Sequence, residues 1–204
     1  MIMDRRGGAR TARLQSWQVL REEVLFDASP WFKVTRETLL LPDGRQIPDY
    51  YQVVAPSYVE VVPVRADGRI RCDWRYKHGP RRVNLGLPAG YIDGNEEALA
   101  AAQRELQEEC SLASGEWITL GAFTIDGNRG QARVHLFLAW DCVAAAPIPS
   151  DDLEAGEHLW LTAEELEAHL QKGGVATLGV AAATLLALPL IRLRHGGNNA
   201  MPIT

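Results

Sequence analysis

The alternation of apolar and polar residues predicts strands through the first half of the chain. From Trp17 to Val54 it predicts three strands, WQVLREEVLFD, WFKVTRETLLL and IPDYYQVV. The turn Pro42-Asp43-Gly44 joins the last two as a hairpin, because proline presets φ and glycine permits a positive φ. Two further strands, YVEVVPV and RIRCDWRY, are separated by a tight turn at Ala66-Asp67-Gly68.

Helical periodicity predicts three helices in the second half. The first extends from about Glu96 to Ser111 and follows a short strand at VNLGLPAG. The second, AEELEAHL, starts at Thr162, where Glu165 completes a capping box, and a last apolar helix covers about 175–188. Strands are also predicted at EWITLGAFTI, ARVHLFLAWDC and EHLWL. A mixed sheet with few helices indicates an α+β sandwich, with an N-terminal antiparallel sheet added.

The first helix carries three carboxylates on one side. Glu105, Glu108 and Glu109 fall on an arc of roughly 100°. Like charges at these spacings repel each other, so the arrangement costs stability unless a positive charge lies between them. Mg²⁺ is a suitable partner, because it takes oxygen ligands and leaves room for substrate phosphates. A separate apolar arc, which we expect to face the core, is formed by Leu99, Ala102, Leu106 and Cys110.

Composition narrows the class of protein. The 204 residues are enough for one good-sized domain with a small accessory sheet. Apolar residues make up 47% and charged residues 23%, as in a soluble globular protein, and the net charge of −5 disfavours nucleic acid as a partner. The cysteines Cys72, Cys110 and Cys142 form no CxxC pair, which predicts reduced thiols and a cytoplasmic protein.

We expect no membrane segment in this chain. The start, MIMDRRGGARTARLQ, lacks an apolar signal core, so residues 1–15 are predicted to be a disordered lead-in. The run TLGVAAATLLALPLIRL is short, rich in alanine and interrupted by Pro189, which predicts a buried helix rather than a membrane span. Residues 196–204 are expected to be a flexible tail.

The acidic helix is part of a longer pattern of fixed spacings. Gly90 is followed after five residues by Glu96, and after seven more by the run RELQEE at 104–109. This pattern resembles the Nudix box, G-x5-E-x7-R-E-U-x-E-E-x-G-U. One fixed position departs from it, because Ser111 stands where the family has a glycine. Since glycine adopts a left-handed conformation there, we expect this departure to alter how the helix ends.

A looser resemblance extends over about residues 18–190. The sequence LPAG at 87–90 is similar to the lead-in of the ADP-ribose and nucleoside-diphosphate-sugar pyrophosphatase branch, and the N-terminal strands share its layout. The resemblance implies a Nudix-type α/β/α sandwich in residues 57–195 and a dimerising β-sheet region in residues 16–56. It also implies a homodimer that hydrolyses a pyrophosphate bond with Mg²⁺, for which Mn²⁺ can substitute.

The resemblance also assigns metal ligands to residues of this sequence. Glu105 and Glu109 would be the principal Mg²⁺ ligands, with Glu108 close by as a shared and catalytic carboxylate. The backbone carbonyl of Ala89 would supply a further ligand. Arg104 would orient the carboxylates through salt bridges and would not touch the substrate.

In the same branch, a glutamate on the loop before the final helices completes the metal site or acts as the base. The matching stretch here is DDLEAGE at 151–157. Counting back from the strand that follows favours Glu154, and Glu157 is the alternative. Such a carboxylate can take the proton of the attacking water, provided that it lies within hydrogen-bond reach.

Residues outside the box are predicted to contact the substrate. A basic stretch that includes Arg75 and Lys77 can attract an anionic ligand, although a solvated hairpin surface would have the same composition. Lys77 fills the position of the family's arginine and would contact phosphate as a point charge. Trp31 and Tyr51 can stack on a nucleobase, or can instead pack the sheet or the dimer contact. Arg129 lies on a glycine-flanked loop that can meet the sugar.

Departures from the branch leave the substrate open. Gly86 replaces the glutamate before LPAG, Arg75-Tyr76-Lys77 replaces Gln-Tyr-Arg, and the proline of many ADP-ribose hydrolases is absent from IDGNRGQARVH. We expect hydrolysis of ADP-ribose or an ADP-sugar to a nucleoside monophosphate and a sugar phosphate. The alternatives are a hydrolase of NADH, other dinucleotides or modified nucleoside triphosphates, and a Nudix module that senses a nucleotide sugar without cleaving it.

Overall fold

A computed structural model describes residues 15–149 and 156–195 of the chain. These residues form two compact units, one within 1–56 and 124–132 and the other within 57–123 and 133–204. Most of the predicted lead-in, the predicted tail and the predicted base Glu154 lie outside the described residues.

The strands and helices of the described ranges follow the order expected from the pattern of the sequence. The strands are β1 (Gln18–Ala28), β2 (Phe32–Leu40), β3 (Gln46–Val54), β4 (Tyr58–Pro63), β5 (Ile70–Lys77), β6 (Arg82–Gly86), β7 (Ala89–Tyr91), β8 (Leu112–Ala113), β9 (Glu116–Asp126), β10 (Gly130–Trp140), β11 (Val143–Ala144) and β12 (Gly156–Leu161). The helices are α1 (Ala98–Cys110), α2 (Ala163–Gln171) and α3 (Leu178–His195). The content of strands and helices confirms the α+β class.

The first unit is an antiparallel β-sheet in which β2 lies between β1 and β3. The predicted hairpin joins β2 to β3, with Gly44 at φ +85° and its N–H donating to the carbonyl of Leu41 at 3.0 Å. The first residues of β10 run parallel to the end of β3. Strand β1 is exposed along both faces over nearly all its length, so its apolar side chains contribute little to the core of this unit.

Strand β4 is central to the second unit, because β10 pairs with it in parallel and β7 pairs with it antiparallel. Its side chains alternate between two helices. Val59 and Val61 belong to the buried cluster that includes Ala102 and Leu106 of α1. Glu60 points the other way, toward Gly179 in the first turn of α3. Helices therefore pack on both faces, which is the predicted α/β/α sandwich. A second antiparallel sheet has the order β12-β5-β6, and β8 pairs with β11.

Helix α1 packs one apolar stripe into this core. Ala102 and Leu106 are fully buried, and Cys110 packs against the same cluster. The prediction for Leu99 was wrong, because its side chain is 40% exposed and Ala101 takes its place in the core. The helix stops at Ser111, which adopts the left-handed conformation with φ 52° and ψ 43°. The serine therefore ends the helix in the conformation expected of a glycine, and the expected change in helix termination does not occur.

Helix α2 begins with the predicted capping box. The Thr162 hydroxyl accepts the N–H of Glu165 at 3.2 Å, and the Glu165 carboxylate accepts the N–H of Thr162 at 2.8 Å. These two bonds satisfy donors that the first turn of a helix leaves unpaired.

Helix α3 differs from the predicted range 175–188 at both ends, because it starts at Leu178 and continues through Pro189 to His195. By length and composition alone, it is the one described helix that could cross a membrane. Its buried side packs in the second unit against β4 and α2, as a core helix does. The three cysteines are free thiols, as predicted.

Candidate active site

Arg104 gathers three of the box glutamates, namely Glu96, Glu105 and Glu108. Its Nη1 donates to Glu105 Oε1 at 2.6 Å and to Glu108 Oε2 at 3.0 Å. Its Nε and Nη2 donate to the two oxygens of Glu96 at 3.2 and 3.0 Å. The hydrogen bond from Arg104 lowers the pKa of Glu96 below its ordinary value. One guanidinium thus offsets the repulsion that the sequence predicts between Glu105 and Glu108.

The carboxylate of Glu105 lies directly against the backbone of Gly90 in β7. A Cβ atom on residue 90 would overlap this carboxylate, so the glycine is required for space. The backbone of residue 90 is not at a positive φ. Burial raises the pKa of Glu105, although its hydrogen bond to Arg104 acts in the opposite direction. The first glycine of the box therefore leaves the space in which Glu105 of α1 contacts β7.

Glu109 reaches the neighbouring residue of the same strand. Its Oε2 accepts the backbone N–H of Ala89 at 3.1 Å. Arg75 holds the same carboxylate through Nη1 at 3.0 Å and Nη2 at 3.4 Å. The side chains of Arg75 and Glu109 are 5% and 6% exposed, so this is a buried ion pair. Glu105 and Glu109 therefore meet β7 at consecutive positions.

The donor types around β7 fit a hard divalent cation. Carboxylates and a backbone carbonyl are the oxygen ligands that Mg²⁺ accepts, and Gly90 provides the room for the Glu105 carboxylate. Within 15–149 and 156–195, no three His, Cys, Asp or Glu side chains already stand together as a metal cage. The glutamates are instead paired with Arg104 and Arg75. Each carboxylate has about four lone-pair sites, so a metal can share these oxygens with the arginines.

Glu60 is a buried carboxylate that the sequence analysis missed. It is 3% exposed and lies opposite Ala89 in the pairing of β4 with β7. Burial raises its pKa to about 8, and the charge of Glu109 adds to this shift while that of Lys77 opposes it. A single charged residue in the apolar strand YVEVVPV was the signal that could have identified it, because buried charges need a special environment.

Glu157 lies on the face of the second sheet that turns away from Glu109. It is directly opposite Trp74 in the pairing of β12 with β5, so the two side chains share one face. The ring of Trp74 meets His169 of α2, with ring centroids 5.4 Å apart. Arg75, the next residue of β5, points to the opposite face and reaches Glu109 of α1. Of the two predicted bases, Glu157 therefore lies on the face of the sheet opposite to Arg75. Glu154 lies outside the described residues.

The predicted phosphate-binding residues occupy different environments. Arg75 is buried in its pairs with Asp73 and Glu109. Lys77 shares the face of Arg75, two residues further along β5, and is half-buried. Arg82, a further residue of the basic stretch before the box, supports a loop, because its Nη2 donates to the carbonyl of Gly173 at 2.9 Å. The basic stretch is therefore divided between ion pairs, loop support and the half-buried Lys77.

The other predicted substrate residues belong to the first unit. Tyr51 is 41% exposed, and its carbonyl accepts Arg129 Nη1 at 3.3 Å. Asp126 fixes the loop of Arg129 by accepting the N–H groups of Asn128 and Arg129 at 2.7 and 2.9 Å. Trp31 is 65% exposed at the turn between β1 and β2. All three residues are exposed, and their roles in binding a ligand stay predictions.

Comparisons with known proteins agree with this arrangement. The profile of the nucleoside diphosphate sugar hydrolase N-terminal domain matches residues 17–53, and that of the NUDIX domain matches residues 56–178. A CMP-5'-(N-acetyl-N-hydroxy-3-aminopropyl)phosphonate hydrolase from Streptomyces rubellomurinus is 26% identical over 174 residues, which are 85% of this chain and 83% of that protein.

A second relative and a solved structure extend the comparison. An ADP-ribose pyrophosphatase from Bacillus subtilis is 29% identical over 104 residues, which are 50% of this chain and 55% of that protein. The crystal structure of an ADP compounds hydrolase superposes with a TM-score of 0.77 at 20% identity, over 89% of this chain and 97% of that one. The structural likeness at this identity concerns the fold.

Proposed function

The chain belongs to the NUDIX family and is a Nudix pyrophosphohydrolase, and from this premise we propose that it cleaves nucleoside diphosphate sugars with Mg²⁺. ADP-ribose or an ADP-sugar is the proposed substrate, and a nucleoside monophosphate and a sugar phosphate are the products. The observation that carries the proposal is the meeting of Glu105 and Glu109 with consecutive residues of β7. An acidic helix that served only as a solvated surface would not bury these two side chains.

The box residues would hold the metal. Glu105, Glu108, Glu109 and the carbonyl of Ala89 supply oxygen ligands of the type that Mg²⁺ prefers. When bound, Mg²⁺ offsets the negative charge of the diphosphate and lowers the pKa of a bound water. Arg104 keeps Glu105 and Glu108 turned toward one another, since both accept from its Nη1.

A carboxylate must also receive the proton of the attacking water. We assign this role to Glu154, with Glu108 as a second acceptor close to the metal ligands. Glu157 is disfavoured as the base, because it shares a face of the sheet with Trp74 and that face packs against α2. The remaining task of the protein is to hold the diphosphate in line for attack.

Three observations support a nucleotide sugar as the substrate. The N-terminal region matches the profile of nucleoside diphosphate sugar hydrolases. One relative is an ADP-ribose pyrophosphatase. Lys77 is half-buried beside the buried Arg75, where an ammonium group can contact phosphate as a point charge. Trp31, Tyr51 and Arg129 are proposed to contact the nucleoside and the sugar.

A cytidine nucleotide is the second candidate. The relative that covers 85% of this chain is a hydrolase of a CMP conjugate. The reaction class is the same, and only the base and the leaving group differ. Dinucleotides, modified nucleoside triphosphates and sensing without cleavage stay as further alternatives from the sequence.

The proposed active form is a cytoplasmic homodimer that uses the sheet of the first unit. Natural monomers seldom expose large contiguous apolar patches. Strand β1, the adjoining turn and the first residue of β2 nevertheless expose a series of large apolar side chains, namely Val19, Leu20, Val24, Leu25, Phe26, Trp31 and Phe32. Strand β1 is also paired on one side only among the described strands, so its other edge is open to pairing. The free thiols are consistent with a reducing compartment.

A substrate panel with Mg²⁺ tests the proposal. ADP-ribose, ADP-glucose, UDP-glucose, CDP-choline, NADH and a nucleoside triphosphate are compared, with release of the nucleoside monophosphate as the readout. We expect one or more diphosphates to be cleaved by the wild type and by Glu164→Gln, an exposed glutamate of α2 that serves as the matched control. Glu109→Gln should lose this activity. If the wild type cleaves no compound faster than Glu109→Gln, the proposal is wrong, and binding without turnover would favour the sensing alternative.

A further inference from the structure

Asp73 is a buried carboxylate of β5 for which the mechanism above has no use. It is 2% exposed, and its Oδ2 accepts a hydrogen bond from Nε of Arg75. Its Oδ1 has no hydrogen-bond partner among the described residues. Burying a carboxylate costs free energy unless its charge is paired and its oxygens accept hydrogen bonds. The position therefore calls for an explanation beyond packing.

The guanidinium of Arg75 connects Asp73 to the metal-binding helix. Its Nε faces Asp73, and its two terminal nitrogens face Glu109 at 3.0 and 3.4 Å. The five N–H groups of a guanidinium point in fixed directions in one plane. A carboxylate that fixes Nε therefore also fixes the direction of the two N–H groups that hold Glu109.

Glu109 needs such a fixed partner because of where it lies. It occupies the last turn of α1, where the helix dipole disfavours negative charge, and no basic residue of the helix lies in that turn. Its carboxylate must also be turned toward β7 to accept the N–H of Ala89. Arg75 supplies the positive charge, and Asp73 supplies the orientation of Arg75.

Two glycines leave the space that Asp73 occupies. Gly86 is its cross-strand partner, and a Cβ on Gly86 would lie 2.9 Å from Asp73 Oδ1. A Cβ on Gly156 would lie 3.2 Å from Asp73 Oδ2. Neither glycine has a positive φ, so the backbone does not require glycine at either place. The space around Asp73, rather than the path of the chain, explains both residues.

We propose that Asp73 is a positioning residue that acts through Arg75 to hold the Glu109 carboxylate in the orientation used for metal binding. The inference rests on the proposed function, because it assumes that Glu109 is a metal ligand. The proposal also gives Gly86 a role. Because residue 86 has no side chain, the carboxylate of Asp73 from the neighbouring strand can occupy that space.

The test measures binding of Mn²⁺ alone to the full chain by electron paramagnetic resonance, with thermal unfolding recorded in parallel. Asp73→Ala should weaken Mn²⁺ binding by roughly 10- to 100-fold, the usual effect of losing a residue that orients a metal ligand. Asp73→Val keeps a branched side chain of similar size without a hydrogen-bond acceptor, and serves if the alanine variant does not fold. Asp67→Ala is the matched control, because Asp67 pairs with Arg65 at the same spacing of two residues but at an exposed turn. It should bind Mn²⁺ as the wild type does.

Moving the carboxylate across the strands separates positioning from simple stability. Gly86→Asp alone should weaken binding, because its side chain would meet Asp73. The double variant Asp73→Gly with Gly86→Asp should recover binding to within about threefold of the wild type, since it restores one carboxylate to the same space. Unchanged Mn²⁺ affinity in Asp73→Val, or a lowered melting temperature without loss of affinity in Asp73→Ala, would overturn the inference.

The same titration distinguishes this inference from the proposed function. If the wild type itself binds no Mn²⁺, or if Glu105→Gln binds it as well as the wild type, the metal site is wrong. If Glu105→Gln loses Mn²⁺ while both variants of Asp73 retain it, only the role of Asp73 is wrong.

Discussion

The carboxylate of Glu105 fills the space beside Gly90 that any side chain on residue 90 would need. Gly90→Ala must therefore displace Glu105 or part α1 from β7. We expect the free energy of unfolding to fall by about 1–3 kcal/mol, as for other overpacked sites, and hydrolysis to fall with it. Urea unfolding and a turnover assay measure the two effects. Gly115→Ala is the control, because its Cβ would meet no atom within 4 Å. A fully active, equally stable Gly90→Ala would contradict this relationship.

Ser111 provides a prediction about stability alone. Its left-handed conformation is unfavourable for a residue with a Cβ. Ser111→Gly should raise the free energy of unfolding by about 1 kcal/mol without changing activity. Ala113→Gly, two residues further on in β8, should lower it, because Ala113 has no positive φ. Equal shifts of the two variants in the same direction would show that the strain at Ser111 is not real.

Glu60 should make stability depend on pH. Its folded pKa of about 8 exceeds the ordinary 4.5 because of burial. Between these values the unfolded chain releases a proton that the folded chain keeps. The contribution of Glu60 to the free energy of unfolding is therefore complete below about pH 4.5. It falls as pH rises toward 8, by up to about 1.4 kcal/mol per pH unit.

Glu60→Gln cannot ionise, so it should remove this slope. Urea unfolding at pH 5.5 and pH 8 with a chelator present measures the difference between the variant and the wild type. The free energy of unfolding of Glu60→Gln should rise relative to that of the wild type at pH 8. That of the exposed Glu164→Gln should equal the wild-type value at both pH values. A constant difference between Glu60→Gln and the wild type at the two pH values would rule out the shift.

The orientation of β12 predicts that Glu157 is dispensable for hydrolysis, whereas Glu154 is the proposed base. Glu157→Gln should keep activity within about threefold of the wild type, because its side chain shares the face of Trp74 that packs on α2. Glu154→Gln should reduce kcat by about 10²-fold or more if it is the base. Steady-state kinetics on the best substrate decide between them, and the reverse ranking would move the base to Glu157.

Sedimentation velocity tests the proposed dimer contact. Val24 is 52% exposed in β1, and Val24→Glu would place a charge within the exposed apolar strand. We expect the wild type to sediment as a dimer at micromolar concentration and Val24→Glu as a monomer. Leu193→Glu on α3 is the control, since Leu193 is 81% exposed but lies in the second unit. A monomeric wild type, or a dimer that Val24→Glu leaves intact, would refute the contact.

Local spacing was enough to predict several local features of the structure. The helical face of Glu105 and Glu109, the turn at Gly44 and the capping box at Thr162 depend only on residues a few positions apart. The wrong prediction for Leu99 has a related cause. Because a run of alanines follows Leu99, the sequence alone does not show which edge of the apolar stripe faces the core.

The parts that sequence could not predict depend on long-range pairing. Arg75 is buried because β5 brings it to Glu109, which is 34 positions away in the chain. The face on which Glu157 lies follows from the register of β12 on β5, and a shift by one residue would reverse it. A list of basic residues before the box cannot distinguish an ion pair in the core from a phosphate contact.

We propose that α1 and β7 form the metal site for hydrolysis, and the substitution Glu105→Gln is the sharpest test of this proposal. Release of AMP from ADP-ribose with saturating Mg²⁺ should be compared between the wild type, Glu105→Gln and the control Glu164→Gln. We expect turnover by the wild type and the control, and a loss of at least about 10²-fold in Glu105→Gln. Turnover of Glu105→Gln within threefold of the wild type, with the fold intact, would contradict it.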